Sequence, residues 1–481
     1  MKNLMNFRMM CAVLLAAFVL VSCADKGSDL LSMVPKETKF AVLVKPLDLA
    51  KKADLQNLAL KNVSKETFDQ INAFFNGDMG VDPAEVVMFE YQNNFWALFN
   101  VKDEGKLSSA LTDFGYGKES VNGCNIYSEG SDRIAVKDGL GMLTTVYNAD
   151  LTNVAGNIDR FIKLPEGQSV VSIPKFAESM SGKDAHIYLN TGAFYEMAQK
   201  ENGGPYGSRE VAEMVKQMPM YEELIQSHAY FSLNFEKNDL ICHSVVLDSE
   251  GKNINGKFNL KNLDKDMLEF FDEKATAVMG FAIPDEYIGF MADAIAKEAG
   301  SDPALGNMVR NAINSLEGNM AIGGTLANLQ DWQANGYTAV IKFKKDMLPS
   351  VKTLLGQQLA TMGATPDSEG NYSVPVKQGL TLNVVFKDDY LCVSNAAIPE
   401  KTFASSSNAG KFSGKTGVIY VDMPKGSILA SAATMAAGVD LSGYFYAWSD
   451  DEQSEAVLHI DDNPESNILK LIIKTVDGMS R

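Results

Sequence analysis

Apolar and polar positions alternate with period two along most of the chain, in short runs separated by Gly, Asn and Asp. Alternation of this kind marks strands with one buried face, and the intervening residues mark hairpin turns. The same landmarks come twice, in the same order. Residues 40–46 read as a strand ending in Pro46 with a helix over 47–52, and residues 277–284 as a strand ending in Pro284 with a helix over 285–297. Proline suits a helix start, where its missing N–H would have no partner anyway. Strands at 84–91 and 95–102 lead into a helix at 103–114; strands at 319–326 and 337–343 lead into one at 344–359. Hairpin strands at 125–127, 133–136 and 141–145 answer to 372–374, 380–386 and 390–394. Gly182-Lys183 opens a strand ending at Asn190, with a helix over 193–200. Gly414-Lys415 opens one ending at Asp422, with a helix over 427–437. Each run closes on a long hairpin, 229–235 with 240–247 and 443–449 with 456–460.

The pattern predicts an internal repeat and an α+β fold of two similar halves, each a mainly antiparallel sheet with helices packed on it. Gly, Asn and Lys cluster over 251–274, which places the boundary there: a first α+β half at 33–260 and a second at 261–481. The chain ends in a helix. Asn463 reads as its cap and Pro464 as its first residue, with Ile468, Leu469, Leu471, Ile472 and Val476 as the apolar face and Lys470 and Lys474 on the polar side.

The first 32 residues break the pattern. Lys2 and Arg8 precede an uncharged apolar run over 9–21, the length of a signal-peptide core and shorter than the ~20 residues that span a bilayer. The run ends in Leu20-Val21-Ser22-Cys23, which resembles the lipobox of bacterial lipoproteins. The resemblance implies a signal peptide over 1–22, cleavage before Cys23, and fatty acylation of its thiol and new amino group, palmitate being one such acyl group. Residues 23–32 are short and polar and suit a tether. Several acyl chains anchor far better than one. No later stretch is long and apolar enough to span a membrane.

The net charge of −18 repels phosphate backbones, so nucleic acid is not an expected partner. Five Cys in 481 residues are too few for a disulfide framework, and Cys124, Cys242 and Cys392 read as buried thiols. Residues 409–416 read A-x-x-x-x-G-K-T, loosely like a phosphate-binding loop, but that loop must open a helix and this one opens a strand. His186, His228, His243 and His459 include no i, i+4 pair. Cys242 and His243 are neighbours on a strand and point to opposite faces, so they do not form a nucleophile–base pair. The acidic runs 450–452 and 461–462 lack the spacing of a calcium loop. No catalytic residue, metal site or cofactor is therefore assigned.

One feature suggests binding. Tyr444, Tyr446 and Trp448 share one face of the last hairpin, where the first half is read as having Tyr230, Ser232 and Asn234. Such a strip can stack on sugar rings or apolar ligands. The competing expectation is that the C-terminal helix covers it.

Met33-Val34-Pro35-Lys36-Glu37-Thr38-Lys39, followed by the apolar strand 40–44, resembles the opening of a Bacteroides-type lipoprotein family of unknown function. That resemblance implies an exported lipoprotein and carries over no catalytic residue. The resulting expectation is a lipid-anchored, non-enzymatic binding or structural component of the outer membrane, on its periplasmic or its surface side. Its partners would be the membrane, through Cys23, and another envelope protein or a glycan. The competing class is a hydrolase acting on envelope or other glycans.

Overall fold

The period-two segments form strands wherever the alternation is clean, and turn residues with positive φ close the hairpins. Asn122-Gly123 (φ 53° and 74°) and Asp138-Gly139 (φ 51° and 78°) have the left-handed pairs that match the twist of a two-residue hairpin. The structure is a computed structural model and describes residues 29–58, 60, 63–145, 150–200, 216–298, 303–328, 335–376, 380–437 and 441–479. Cys23, the segment 1–22 and residues 23–28 of the tether lie outside the described residues.

The first run of strands is β1 (Phe40–Val44), β2 (Val81–Tyr91), β3 (Asn94–Val101), β4 (Gly117–Val121), β5 (Cys124–Glu129), β6 (Asp132–Lys137), β7 (Leu140–Thr145), β8 (Ala185–Asn190), β9 (His228–Phe235) and β10 (Asp239–Leu247). They pair antiparallel in the order β4-β5-β6-β7-β3-β2-β1-β8-β9-β10. The second run is β11 (Ala277–Ala282), β12 (Leu316–Thr325), β13 (Gly336–Phe343), β14 (Tyr372–Pro375), β15 (Thr381–Lys387), β16 (Tyr390–Ser394), β17 (Gly417–Met423), β18 (Gly443–Ser449) and β19 (Ser454–Ile460). It pairs as β14-β15-β16-β13-β12-β11-β17-β18-β19, again antiparallel throughout. β10 pairs with β19, which joins the runs into one 19-stranded sheet.

Helices pack on this sheet, and the fold is α+β. They are α1 (Pro46–Lys52), α2 (Lys65–Phe75), α3 (Glu104–Asp113), α4 (Leu151–Ile162), α5 (Thr191–Lys200), α6 (Asp285–Glu298), α7 (Pro303–Asn314), α8 (Leu348–Thr361), α9 (Ile428–Ala437) and α10 (Ile468–Met479). Asp103 caps α3 by accepting the Lys106 N–H at 3.0 Å, and Asp150 caps α4 by accepting the Thr152 N–H at 2.9 Å. The strand pattern does not announce α2, α4 or α7.

Cross-strand register fixes which residues of the two runs occupy like places. Ala41 lies opposite Tyr188 and Val278 opposite Tyr420; Tyr188 lies opposite Tyr230 and Tyr420 opposite Tyr446. Tyr446 therefore answers to Tyr230, and Trp448 to Ser232. The spacing-based reading that set Tyr444, Tyr446 and Trp448 against Tyr230, Ser232 and Asn234 is two residues out of step. It counted from the hairpin turns, whereas the tyrosines that pack together set the true equivalence.

The sheet has a near face, carrying Ala41, Tyr188, Tyr230 and Tyr420, and a far face, carrying Val42, Val44, Leu233 and Leu458. On the near face of the first run, Leu30, Leu31, Val170 and Phe176 cover the strands. On that of the second, Met267, Leu268, Phe403 and Phe412 do so. On the far face, α10 packs over the first run. Its Ile468, Leu469 and Leu471 are buried against Val44, Val86, Met88 and Phe235.

The C-terminal helix starts later than its sequence suggests. Asn467 accepts the Leu469 N–H at 2.9 Å, so the helix begins at Ile468 rather than Pro464. The delay has a cause: residues 463–468 are tied to the β9–β10 turn. Asn467 donates to the Phe235 carbonyl at 3.0 Å, and the Ile468 N–H donates to that of Glu236 at 2.9 Å. Val476, expected on the apolar face, is exposed.

Candidate functional site

The last strands of each run meet along β10 and β19, and their near face carries a cluster of polar and aromatic side chains. Register aligns one row across this seam: Val418, Trp448, Glu455, His243, Ser232 and His186. Glu455 sits at its centre. One oxygen accepts the Trp448 indole N–H at 3.2 Å, and the other lies 3.0 Å from His243 Nδ1. A second row places His459 between Tyr444 and Asp239. The His459 ring stacks on Tyr444 with centroids 4.8 Å apart, and its Nδ1 lies 2.7 Å from Asp239. By the register that sets Tyr446 against Tyr230, His243 answers to Glu455, so the two runs meet at this paired position.

Tyr444, Tyr446 and Trp448 are half-buried and pack on the near-face core of the second run. The C-terminal helix does not cover them, because it lies on the far face with Leu458 and Ile460. Two lysines of the segment entering β17 cover them instead. Lys411 Nζ lies 3.6 Å from the Tyr444 ring centroid, with Tyr420 and Tyr446 at 5.0 and 5.1 Å. Burial among these rings holds the Lys411 ammonium below its usual pKa range. Lys415 Nζ sits 3.1 Å from the Trp448 ring centroid and 3.0 Å from Asp450. The lysine of the loosely phosphate-loop-like stretch thus braces a tryptophan. Tyr446 donates its hydroxyl to the Lys411 carbonyl at 2.6 Å, and burial pushes its pKa up to about 12. Burial also raises Asp422, below this group on β17.

Beside this filled strip lies an open cavity of about 280 Å³, lined by Ser179, Tyr230, Ser232, His243, Glu452 and Gln453 among others. Its origin is a size difference at one equivalent position. Trp448 fills the second run where Ser232 leaves the first run empty. The Tyr230 side chain is 2% exposed, and its hydroxyl has no hydrogen-bond partner among the described residues. Its counterpart in Tyr446 is satisfied by Lys411. A buried hydroxyl without a partner is costly, and this one is closed off from the cavity that the rest of the residue walls. His186, at the inner end of the row, is 1% exposed. Burial pushes its pKa down to about 4, against a smaller upward pull from the Ser179 backbone.

Ser232, His243 and Glu455 share one row, yet no hydrogen bond joins Ser232 to the imidazole among the described residues, and a serine nucleophile needs its base in contact. Cys242 points to the far face opposite Ala456, away from His243. Burial raises the pKa of Cys124, Cys242 and Cys392, the last to about 12, which keeps these thiols protonated. Among the described residues, no three His, Cys, Asp or Glu side chains come together as a metal site, and no helix is long and apolar enough to cross a membrane. Sequence reasoning singled out the aromatic strip but missed the cavity beside it. The missing signal was a small residue, Ser232, at the position equivalent to a large one.

No family model and no curated protein matches the chain. Solved structures of TP0453 in crystal forms IV, I and III are similar to it at 9%, 9% and 10% identity. They cover 45%, 46% and 79% of this chain and 79%, 78% and 97% of their own, with TM-scores of 0.30, 0.26 and 0.22. Likeness at that level says nothing about what this chain does.

Proposed function

We propose that the chain is a lipid-anchored cell-envelope protein that binds a small, hydroxyl-rich ring ligand, of which a sugar unit is the simplest class, in the seam cavity without chemically changing it. The observation that carries the reading is the open cavity of about 280 Å³ itself, walled by the Tyr230 side chain and lined by Ser179, Ser232, His243 and Gln453 where the second run is filled by Trp448. That volume is at the low end of small-molecule clefts, ~300–1,000 Å³, and suits one ring rather than a long chain. The lining supplies hydroxyls from Ser232 and Ser179, an aromatic wall from Tyr230, an imidazole, the Gln453 amide and the Glu452 carboxylate. This mixture of donors and acceptors suits a neutral polyol better than an anion. Anchoring rests on Cys23 and the apolar run before it.

Titration calorimetry with N-acetylglucosamine, glucose and galactose tests the binding half. Saturable binding of at least one of them at one site per chain, weakened about tenfold by Ser232→Ala, supports it. No saturable binding, or binding indifferent to Ser232→Ala, contradicts it. Metabolic labelling with a clickable palmitate analogue tests the anchor. Label lost in Cys23→Ala supports it, and unchanged label in that variant contradicts it.

A further inference from the structure

On the far face of the second run α8 covers β13–β16, but the strip over β11, β12 and β17 is exposed among the described residues where its equivalent in the first run is covered. Register makes Met279 and Phe281 the counterparts of Val42 and Val44, and Ile322 and Ile419 those of Met88 and Ile187. Val44 and Met88 are 0% and 4% exposed, beneath α1 and α10. Phe281 and Ile322 are 37% and 48% exposed, and Met279 and Ile419 are exposed beside them. The rows run unbroken: Ile419 lies opposite Met279, and Met279 opposite Ile322. With Tyr337 these side chains form one apolar patch in the middle of the sheet rather than scattered surface residues.

We infer that this face is a docking site for an amphipathic helix of a partner protein, aliphatic along one side and basic on its flanks. The occupant is read from the first run, where the equivalent strip takes such a helix. In α10, Ile468, Leu469 and Leu471 enter the sheet, while Lys470 pairs with Asp54 of the first run at 2.9 Å. A chain of net charge −18 favours basic flanks on its partner. The other occupants fit less well. The exposed parts of five large side chains offer roughly 300–400 Å², at ~150–200 Å² for a whole side chain. A stable dimer needs ~800 Å² from each copy, so a second copy would leave most of its interface unaccounted for. The chain's own acylated terminus falls short. Asp29 starts a helical turn that packs against the near face by β2, and β2 is eight strand spacings from β11, ~38 Å along the sheet. Six extended residues from Cys23 reach ~20 Å.

The test uses the full mature chain and a fluorescent synthetic peptide of residues 467–476, which keeps the apolar face with Lys470 and Lys474 and contains no acidic residue. Saturable binding of one peptide per chain, weakened about tenfold or more by Ile322→Glu and by Met279→Glu and unchanged by Met362→Glu at the exposed residue after α8, supports the proposal. All three positions are exposed, so the variants keep the wild-type melting temperature, which is checked alongside. Unsaturable binding, or binding indifferent to Ile322→Glu and Met279→Glu, overturns it. So does an effect of those variants on chain mass in sedimentation or on flotation with phosphatidylethanolamine–phosphatidylglycerol vesicles. Such an effect would assign the face to a second copy or to the membrane.

Discussion

The two runs of strands share a pairing order but not a covering. On the near face each run brings its own lid, 29–34 with 166–180 in the first and 263–271 with 403–412 in the second. On the far face a single element makes the difference. The C-terminal helix follows β19 yet packs on the first run, and among the described residues the second run has no counterpart. At the seam a single residue makes the difference, Trp448 against Ser232. Both contrasts teach the same point. A similar strand scaffold acquires distinct surfaces when one helix or one side chain is present in only one copy of the arrangement.

Truncating the two equivalent far-face positions tests the first contrast and carries the largest expected effect. Met88→Ala, beneath α10, should cost ~2–5 kcal/mol, the range for buried large-to-small changes. Ile322→Ala, at the counterpart position, should cost well under ~1 kcal/mol, because its side chain is half in water. Denaturant unfolding of both variants measures the difference, and equal costs would break the comparison.

The second test concerns the seam row, where His186 stands in the place of Val418. His186 titrates at about 4 in the folded protein and near 6.5 when unfolded. As pH falls from 6.5 to 4, the unfolded chain takes up a proton that the folded chain refuses, so stability is lost across that window. The loss is about 3 kcal/mol by pH 4. His186→Val should flatten the acid limb of stability against pH by that amount relative to wild type, measured by urea unfolding at steps between pH 7 and 4. Parallel limbs would show that His186 is not held neutral.

Much of the scaffold was legible in the sequence because strand alternation and turn chemistry are local. The β8 and β17 segments, opened by Gly182-Lys183 and Gly414-Lys415, could be placed residue by residue. The C-terminal helix could be seen, but not its start or its destination. Asn463 and Asn467 are equally good caps on paper, and only the hydrogen bonds of Asn467 and Ile468 to the β9–β10 turn decide between them. Which run the helix covers depends on a tertiary choice that its amphipathic face cannot express. The aromatic strip was visible as a period-two pattern, whereas the cavity was not. A cavity is a missing side chain, and recognising Ser232 as small requires knowing that Trp448 is its counterpart. Counting from the turns gave Tyr446 instead, because the hairpins differ in length beyond the packed tyrosines.

The account's central claim is that the seam cavity exists, and binds, because Ser232 stands where the other run has Trp448. Ser232→Trp tests it most directly, by refilling the cavity with the side chain that the second run already accommodates. Calorimetric titration of this variant with whichever of N-acetylglucosamine, glucose or galactose binds the wild type should show no heat of binding, with circular dichroism and melting temperature near those of wild type. Wild-type affinity in a folded Ser232→Trp chain would contradict the account and place the ligand elsewhere.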